Sequence, residues 1–517
     1  MVNGEIARFT EKYPTKIWLF LSVNYIFCIF AGKFSMTMIG RKKELLVLES
    51  LYNSGKAEFV AIYGRRRVGK TYLVDEAMRG RITFRHAGLS PLDELGKKNQ
   101  TKDQLRQFYF SLQLSGMAKS KCPSTWFDAF FMLEMWLQSK DDGSRQVVFL
   151  DELPWMDTPK SGFMTAFEGF WNNWACHRPN LMLIVCGSAN SWILDNLINN
   201  HGGLYGRVTY EIRLSPFSLA ECEDFFKSAG VNLSRYDIVQ SNMIVGGIPY
   251  YLNYFQRGLS LSQNIDGLFF SEYPRLRDEF DRLFASIFSN PEEMKRVVRF
   301  LARRRAGFTR SELVEGLKTT DSGAFSKMLK ALVASDFIIS YIPFGENRRN
   351  AHYRLVDPLC IFYLKFVEGK ENMDQEFWTH GQSNQSVISW RGLAFEDVCL
   401  RHVSQIKAAL GIQGVSSTVS TWTNIGDDVQ EGTQIDLLIM RKDNVVNLCE
   451  MKFFNDTFHV DKNYWQTMMR RQNLLSSQLP RRMAVNNVLI STFGLAEGEY
   501  SGVFQNSVVL DDLFRGV

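Results

Sequence analysis

The sequence lacks any paired-cysteine spacing. Its eight cysteines, at 28, 122, 176, 186, 222, 360, 399 and 449, are scattered, and no two form a C-x-x-C pair. A zinc knuckle or dithiol redox motif is therefore excluded. Several sit in apolar runs, Cys186 in Leu-Ile-Val-Cys among them, and read as reduced core residues of a cytoplasmic protein. Charge of one sign is also scarce. Sixty Lys+Arg against 55 Asp+Glu leave a net +5 over 517 residues, too mild a surplus to mark a nucleic-acid binder by itself. Internal repeats and low-complexity tracts are missing. With 45% apolar and 22% charged residues, wholesale disorder, collagen and coiled coil are excluded. The apolar run Ile17 to Phe30, broken by Ser22 and Asn24, falls short of the about 20 residues that a spanning helix needs. Glu5 and Glu11 before it and Ala31-Gly32 after it do not suit a signal peptide. Three readings of residues 1–37 stay open: an extension ahead of a start at Met36 or Met38, a membrane anchor, or an extra packed helix.

What is present is organised as strands alternating with helices. Helical spacing covers 41–54, 72–79 and 126–137. Short continuous apolar runs at 58–63, 146–150 and 181–186, with another strand at 210–214, predict a parallel α/β sheet. Helices dominate from Pro216 to about 285. Helices over 291–305, 310–317 and 322–334 followed by strands at 337–342 and 351–355 outline a winged helix. A polar stretch, 369–389, suits a linker. The last block, 390–517, reads as helix 391–409, strands near 418–422, 434–440 and 445–452, helix 462–478 and strand 486–491. The expected domains are 38–215, a helical lid 216–290, a winged helix 291–368, the linker, and an α/β domain 390–517.

Gly64-Arg65-Arg66-Arg67-Val68-Gly69-Lys70-Thr71, followed by Tyr72, fits G-x-x-x-x-G-K-[ST] between a strand and a helix. Its glycines let backbone N–H groups cradle phosphates at a helix N-terminus, Lys70 reaches the β- and γ-phosphates, and Thr71 meets Mg²⁺. The strand Val147–Leu150 ends in Asp151 and Glu152. Asp151 can hold Mg²⁺ and Glu152 can polarise water as general base. After the next strand, Ser188 is the first choice for a polar sensor of the γ-phosphate and Asn190 the second. The alternative for Ser188 is a helix N-cap. Arg207 reads either as an arginine finger given to a neighbouring subunit of a homo-oligomer or as a surface residue.

YGRRRVGKT, FLDELPWM, GSANSWI, LYGRVTYEIRLSPFS and GGIPYYL together resemble the archaeal-type ATPase family, a branch of the AAA+/STAND P-loop ATPases, over about residues 38–290. The resemblance implies ATP and Mg²⁺ as ligands. It places Gly246-Gly247-Ile248-Pro249 at the helical lid, with Pro249 near the base or ribose, and an opening G-R-x-x-E segment at Gly40–Glu44. No N-K-x-D guanine motif is present, which agrees with adenine.

In the last block, Asp436, Glu450 and Lys452 fall as D-x(13)-E-x-K across a hairpin. Glu450 and Lys452 share one strand face, Asp436 can converge on them, and charges in such apolar strands need partners or metal. This set resembles the core of the PD-(D/E)XK, restriction-endonuclease-like fold. Glu396 matches the acidic position on that fold's first helix. Asp436, Glu450 and Glu396 would bind Mg²⁺ and Lys452 would act on the water. The alternative is a domain in which these charges form a buried ion network. Arg303, Arg304, Arg305, Lys327, Lys330, Arg348 and Arg349 could meet DNA phosphates. The bland reading makes them solvated faces of a spacer. Trp390 and Trp422 are expected in the core.

Overall fold

The computed structural model describes residues 38–91, 99–188, 190–199, 202–288, 290–370, 374–424 and 433–516. The readings made for residues 1–37 lie outside these. No described helix is long and apolar enough to cross a membrane.

The first unit alternates α1 (Lys42–Tyr52), β1 (Glu58–Tyr63), α2 (Lys70–Ala77), β2 (Ile82–Ala87), α3 (Thr101–Leu114), α4 (Trp126–Ser139), β3 (Gln146–Asp151), α5 (Phe163–Asn173), β4 (Leu181–Gly187) and β5 (Tyr210–Arg213). The strands form one parallel sheet in the order β2-β3-β4-β1-β5. Continuous apolar runs make β1, β3 and β4 because helices cover both faces of a parallel sheet; every residue of β3 and β4 is buried. The strand order sets the C-terminal ends of β3, β4 and β1 side by side, at the edge where open α/β sheets bind ligands. Three elements differ from the sequence reading. β2 and α5 were not expected, and α3 occupies a polar stretch with no strand signal.

Helices α6 (Leu219–Ala229), α7 (Arg235–Val245), α8 (Leu261–Phe269) and α9 (Glu279–Ile287) follow. Then come α10 (Pro291–Leu301), β6 (Phe308–Thr309), α11 (Arg310–Gly316), α12 (Gly323–Ala334), β7 (Ile338–Tyr341) and β8 (His352–Leu355), the strands forming a small sheet β6-β8-β7. α13 (Pro358–Phe366) leads on to α14 (Gln385–Arg401) and α15 (Val403–Ala409). The expected linker is not a free tether. Trp378 is fully buried, and Asp266 accepts the N–H groups of Trp378 (2.7 Å) and Thr379 (3.0 Å).

The C-terminal sheet joins β9 (Ser417–Asn424), β10 (Thr433–Arg441), β11 (Val445–Lys452), β12 (Ala484–Ser491) and β13 (Asn506–Val509), with α16 (Lys462–Gln478) between β11 and β12. The order is β13-β12-β11-β10-β9. β9, β10 and β11 are antiparallel, while β12 and β13 run parallel to β11. One hydrophobic core runs from β1 and α2 through α6–α10 and α12–α14 to Leu437, Cys449 and Met451 on this sheet. A second fills the α3–α5 side of the first sheet, and a third the α16 side of the last. The segments therefore share a core rather than hanging as separate beads. Trp390 and Trp422 are buried, as expected.

Candidate functional site

The loop from Gly64 to Gly69 joins β1 to α2. A side chain at Gly64 (φ +151) would place Cβ 2.2 Å from the Leu214 carbonyl, so that position tolerates only glycine. Gly69 has a left-handed backbone (φ +90), with nothing within 4 Å of where a Cβ would stand. Lys70 is buried, its Nζ donating to the carbonyls of Gly64 (2.9 Å) and Arg65 (3.2 Å). Burial draws its pKa below the ordinary value, against the pull of Glu152, Cys186 and Asp151. A buried ammonium facing an open glycine cradle fits a polyphosphate.

Thr71 Oγ1 donates to Asp151 Oδ2 at 2.8 Å. The other carboxylate oxygen accepts the Cys186 thiol at 2.7 Å and the Glu152 N–H at 2.9 Å. Burial and the Asp151 charge push the Cys186 thiol up, so it stays protonated and donates. Thr71 and Asp151 thus form the adjacent oxygen pair that suits a hard divalent cation, which when bound would supply charge neutralisation at the phosphates.

Glu152 adopts a left-handed backbone (φ 45°), an uncommon state for a non-glycine residue and one that marks functional sites. The turn sends its carboxylate back to the end of β4, where Oε2 accepts both the N–H and the hydroxyl of Ser188 at 2.9 Å. Ser188 therefore holds the carboxylate expected to polarise water. Asn190, the second choice for the sensor, is the residue at the loop. Its Oδ1 accepts the Gly64 N–H (2.9 Å) while its Nδ2 donates to the Ala334 carbonyl at the end of α12 (2.8 Å). Arg207 lies on an exposed turn. Pro249 starts a short helix, 249–252.

The three loop arginines reach three different places, which the sequence did not reveal. Arg65 is buried and ion-paired with buried Asp357, the N-cap of α13. Arg66 donates to the Ser286 carbonyl (3.3 Å). Arg67 pairs with Glu279 (2.6 Å) and lies over Tyr250, 4.3 Å from the ring centroid. Arg41, the arginine of the opening G-R-x-x-E segment, donates from its guanidinium to the Val68 and Ser215 carbonyls.

In the C-terminal domain the expected set is divided. Glu450 Oε1 meets Lys452 Nζ (2.9 Å) and the Tyr464 hydroxyl (2.7 Å), and its Oε2 meets Arg471 (2.9 Å). Burial pushes the Glu450 carboxyl up, but Lys452, Arg471 and Tyr464 outweigh it and hold it below the usual range. Asp436 is not on that face. The β9–β10 register shifts between Ile435 and Leu438. Such a bulge sends Asp436 to the α14 side, where Gln434 Nε2 donates to its Oδ1 (2.7 Å) and its charge bears on Glu396. Burial and the nearby Asp436 raise Glu396 to about 8 against the pull of Arg305, 2.8 Å away. Glu396 and Lys452 do line one cavity. Among the described residues no three His, Cys, Asp or Glu side chains are grouped to hold a metal ion. The expectation that Glu396, Asp436 and Glu450 converge is corrected accordingly. Arg305, expected to face DNA phosphates, instead pairs with Glu396 and Asp397, and Arg304 pairs with Glu312. Lys327 and Lys330 are exposed.

His402 ties the last block to the helices after the first sheet. Nδ1–H donates to Val398 O (2.8 Å), so Nε2 must be the acceptor for the Leu219 N–H (3.2 Å). Burial holds its pKa down at about 4, against the usual 6.5. Between those values the unfolded chain binds a proton that the folded chain refuses, so stability falls as pH drops through that window. His402→Gln, which keeps an acceptor, is expected to flatten this part of the profile. Denaturant midpoints at pH 7 and pH 5 check it, and an unchanged slope in the variant refutes the assignment.

Parallel sheet, phosphate loop and acidic strand end together define a P-loop nucleotide-binding domain. Residues 38–255 match the family described as an ATPase domain predominantly from Archaea. The chain carries an archaeal-type ATPase domain. Over 396 residues it is 21% identical to an uncharacterized protein of Methanocaldococcus jannaschii, covering 76% of this chain and 83% of that protein. A 43-residue stretch is 44% identical to an uncharacterized ATP-binding protein of the same organism, covering 8% of this chain and 73% of that protein. Among solved structures, the chain is similar to a Walker-type ATPase of Pyrococcus abyssi (TM-score 0.45, 17% identity, 64% of this chain and 97% of that one). It is also similar to the ORC2 protein of Aeropyrum pernix (TM-score 0.37, 11% identity, 64% and 94%).

Proposed function

We propose that the chain is an ATP-hydrolysing AAA+/STAND-like protein that acts on DNA, with a Mg²⁺-dependent nuclease-like C-terminal domain. ATP sits on residues 64–72 with Pro249 near its base, Thr71 and Asp151 hold Mg²⁺, and Glu152 is the general base positioned by Ser188. Arg207 serves a neighbouring copy. Residues 291–368 form a winged helix whose exposed Lys327 and Lys330 meet DNA phosphates. The observation that carries the nuclease-like reading is the meeting of Glu450 and Lys452 at the end of β11, on a helix–three-strand–helix–strand framework; Lys452, though not Glu450, lines one cavity with Glu396.

A second reading is favoured by a specific observation. Glu450 is already matched by Lys452, Tyr464 and Arg471, and Asp436 does not join it. In that reading the ATPase is a nucleotide-gated signalling or defence switch, and the C-terminal domain binds DNA or a partner without cutting. Plasmid cleavage by the purified chain with Mg²⁺ or Mn²⁺, with and without ATP, separates the two. Cutting that disappears in Lys452→Ala is the expected result. No cutting, with ATP turnover intact and lost in Lys70→Ala, overturns the nuclease in favour of the switch.

A further inference from the structure

A cavity of about 510 Å³ lies between the residues that end α10, the helix α13 and one face of α14. Five cationic residues line it, Arg303, Arg304, Arg305, Arg354 and Lys365, against one carboxylate, Asp397. That carboxylate is already bound by Arg305 and Arg354. Arg304 is matched by Glu312. Arg303 and Lys365 have no carboxylate partner among the described residues, and both are exposed. The cavity therefore holds uncompensated positive charge.

Its α14 wall is the start of a 17-residue helix. Asn384 stands at the cap position but makes no capping bond. The Asn384 and Val387 N–H groups are answered by the Gly381 and Asn384 carbonyls; those of Gln385 and Ser386 have no partner among the described residues, and the positive end of the helix dipole lies with them. Ser386 and Ser389 line the same wall and add hydroxyls. Further along lies Trp390, 5% exposed, whose buried indole N–H has no hydrogen-bond partner. Its ring packs against Phe362, Phe366 and Trp378, so the indole belongs to the core behind the wall. Anionic oxygens suit the helix end, Arg303 and Lys365. The volume is that of a small-molecule site rather than a groove for a polymer.

We propose that this cavity binds an organic phosphate of mononucleotide size, either a free nucleotide or the 5′-phosphorylated end of a nucleic-acid strand. The phosphate meets the α14 N-terminus and the two unpaired cations. The site is separate from the P-loop. Arg305, which lines it, also holds Glu396, so an occupant that reaches Arg305 competes for that guanidinium.

The test uses the full chain carrying Lys70→Ala, so that nucleotide retained at the P-loop does not mask the signal. The probes are AMP, inorganic phosphate as competitor, and one single-stranded oligonucleotide with either a 5′-phosphate or a 5′-hydroxyl. The variants are Arg303→Glu with Lys365→Glu, and separately Ser386→Asp. Ser386→Asp puts a carboxylate in the first helical turn, where it favours the helix while occupying the anion position. The expected result is binding of AMP or of the 5′-phosphorylated strand, displaced by phosphate. Each set of substitutions should weaken it by roughly tenfold or more at an unchanged melting temperature. AMP binding identifies a free nucleotide, and binding of the phosphorylated strand alone identifies a strand end. No binding, equal affinity for 5′-phosphate and 5′-hydroxyl strands without AMP binding, or affinity unchanged by both sets overturns the proposal.

Discussion

Glu152→Gln is expected to leave nucleotide binding intact and to lower ATP turnover by about 10²- to 10⁴-fold, the range that a general base contributes. Glutamine keeps the shape and one acceptor oxygen, so the two bonds from Ser188 survive and the left-handed turn at 152 is undisturbed. What it loses is the ability to take a proton from water. Phosphate release, read beside equilibrium nucleotide binding on the same preparation, separates the two effects. Turnover within a few-fold of the parent protein removes Glu152 from the role proposed for it. Loss of binding and turnover together points to a structural role instead.

The second large effect is on stability. Arg65→Met leaves Asp357 as an unmatched carboxylate at 2% exposure, and breaking such a buried pair costs about 3–5 kcal/mol. Adding Asp357→Asn removes the charge while keeping the cap on the Cys360 N–H, which the carboxylate now accepts at 2.8 Å. The double variant is therefore expected to recover most of the loss, because a neutral pair in a buried site is far cheaper than one stranded charge. Denaturant unfolding of the single and double variants measures it. A single variant within 1 kcal/mol of the parent, on the order of a surface pair, shows that the two charges are not coupled.

The parts of the molecule that could be read from sequence are those in which one local pattern decides the structure. β1, β3 and β4 are continuous apolar runs because both faces are covered, and the phosphate loop is a spacing rule. β2 escaped because Ile82–Ala87 includes the exposed Arg85 at one side of the sheet. α3 escaped because its buried face, Leu105, Phe108 and Leu112, is interleaved with polar residues that include the buried Gln104. The acidic set in the last domain shows a different limit. Strict alternation places Asp436 and Glu450 on one face, and a single irregularity between Ile435 and Leu438 reverses that. No composition rule announces a bulge; it is settled by packing on both sides of the strand. The roles of Arg65, Arg305 and Asn190 depend on partners 292, 91 and 144 positions away, beyond any local pattern.

Asn190 has one side-chain amide, and both of its ends are engaged, one on the first amide of the phosphate loop and one on the last carbonyl of α12. The two bonds cannot be kept independently. A displacement of either neighbour by about the width of a hydrogen-bond well, under 1 Å, sacrifices one of them. The bond energies involved are about 1 kcal/mol each, so the free energy of seating a ligand on the loop and that of docking α12 are written partly in the same term. Linkage then runs in both directions by the same factor. Whatever pulls α12 away changes the affinity of the loop as much as filling the loop changes the hold on α12.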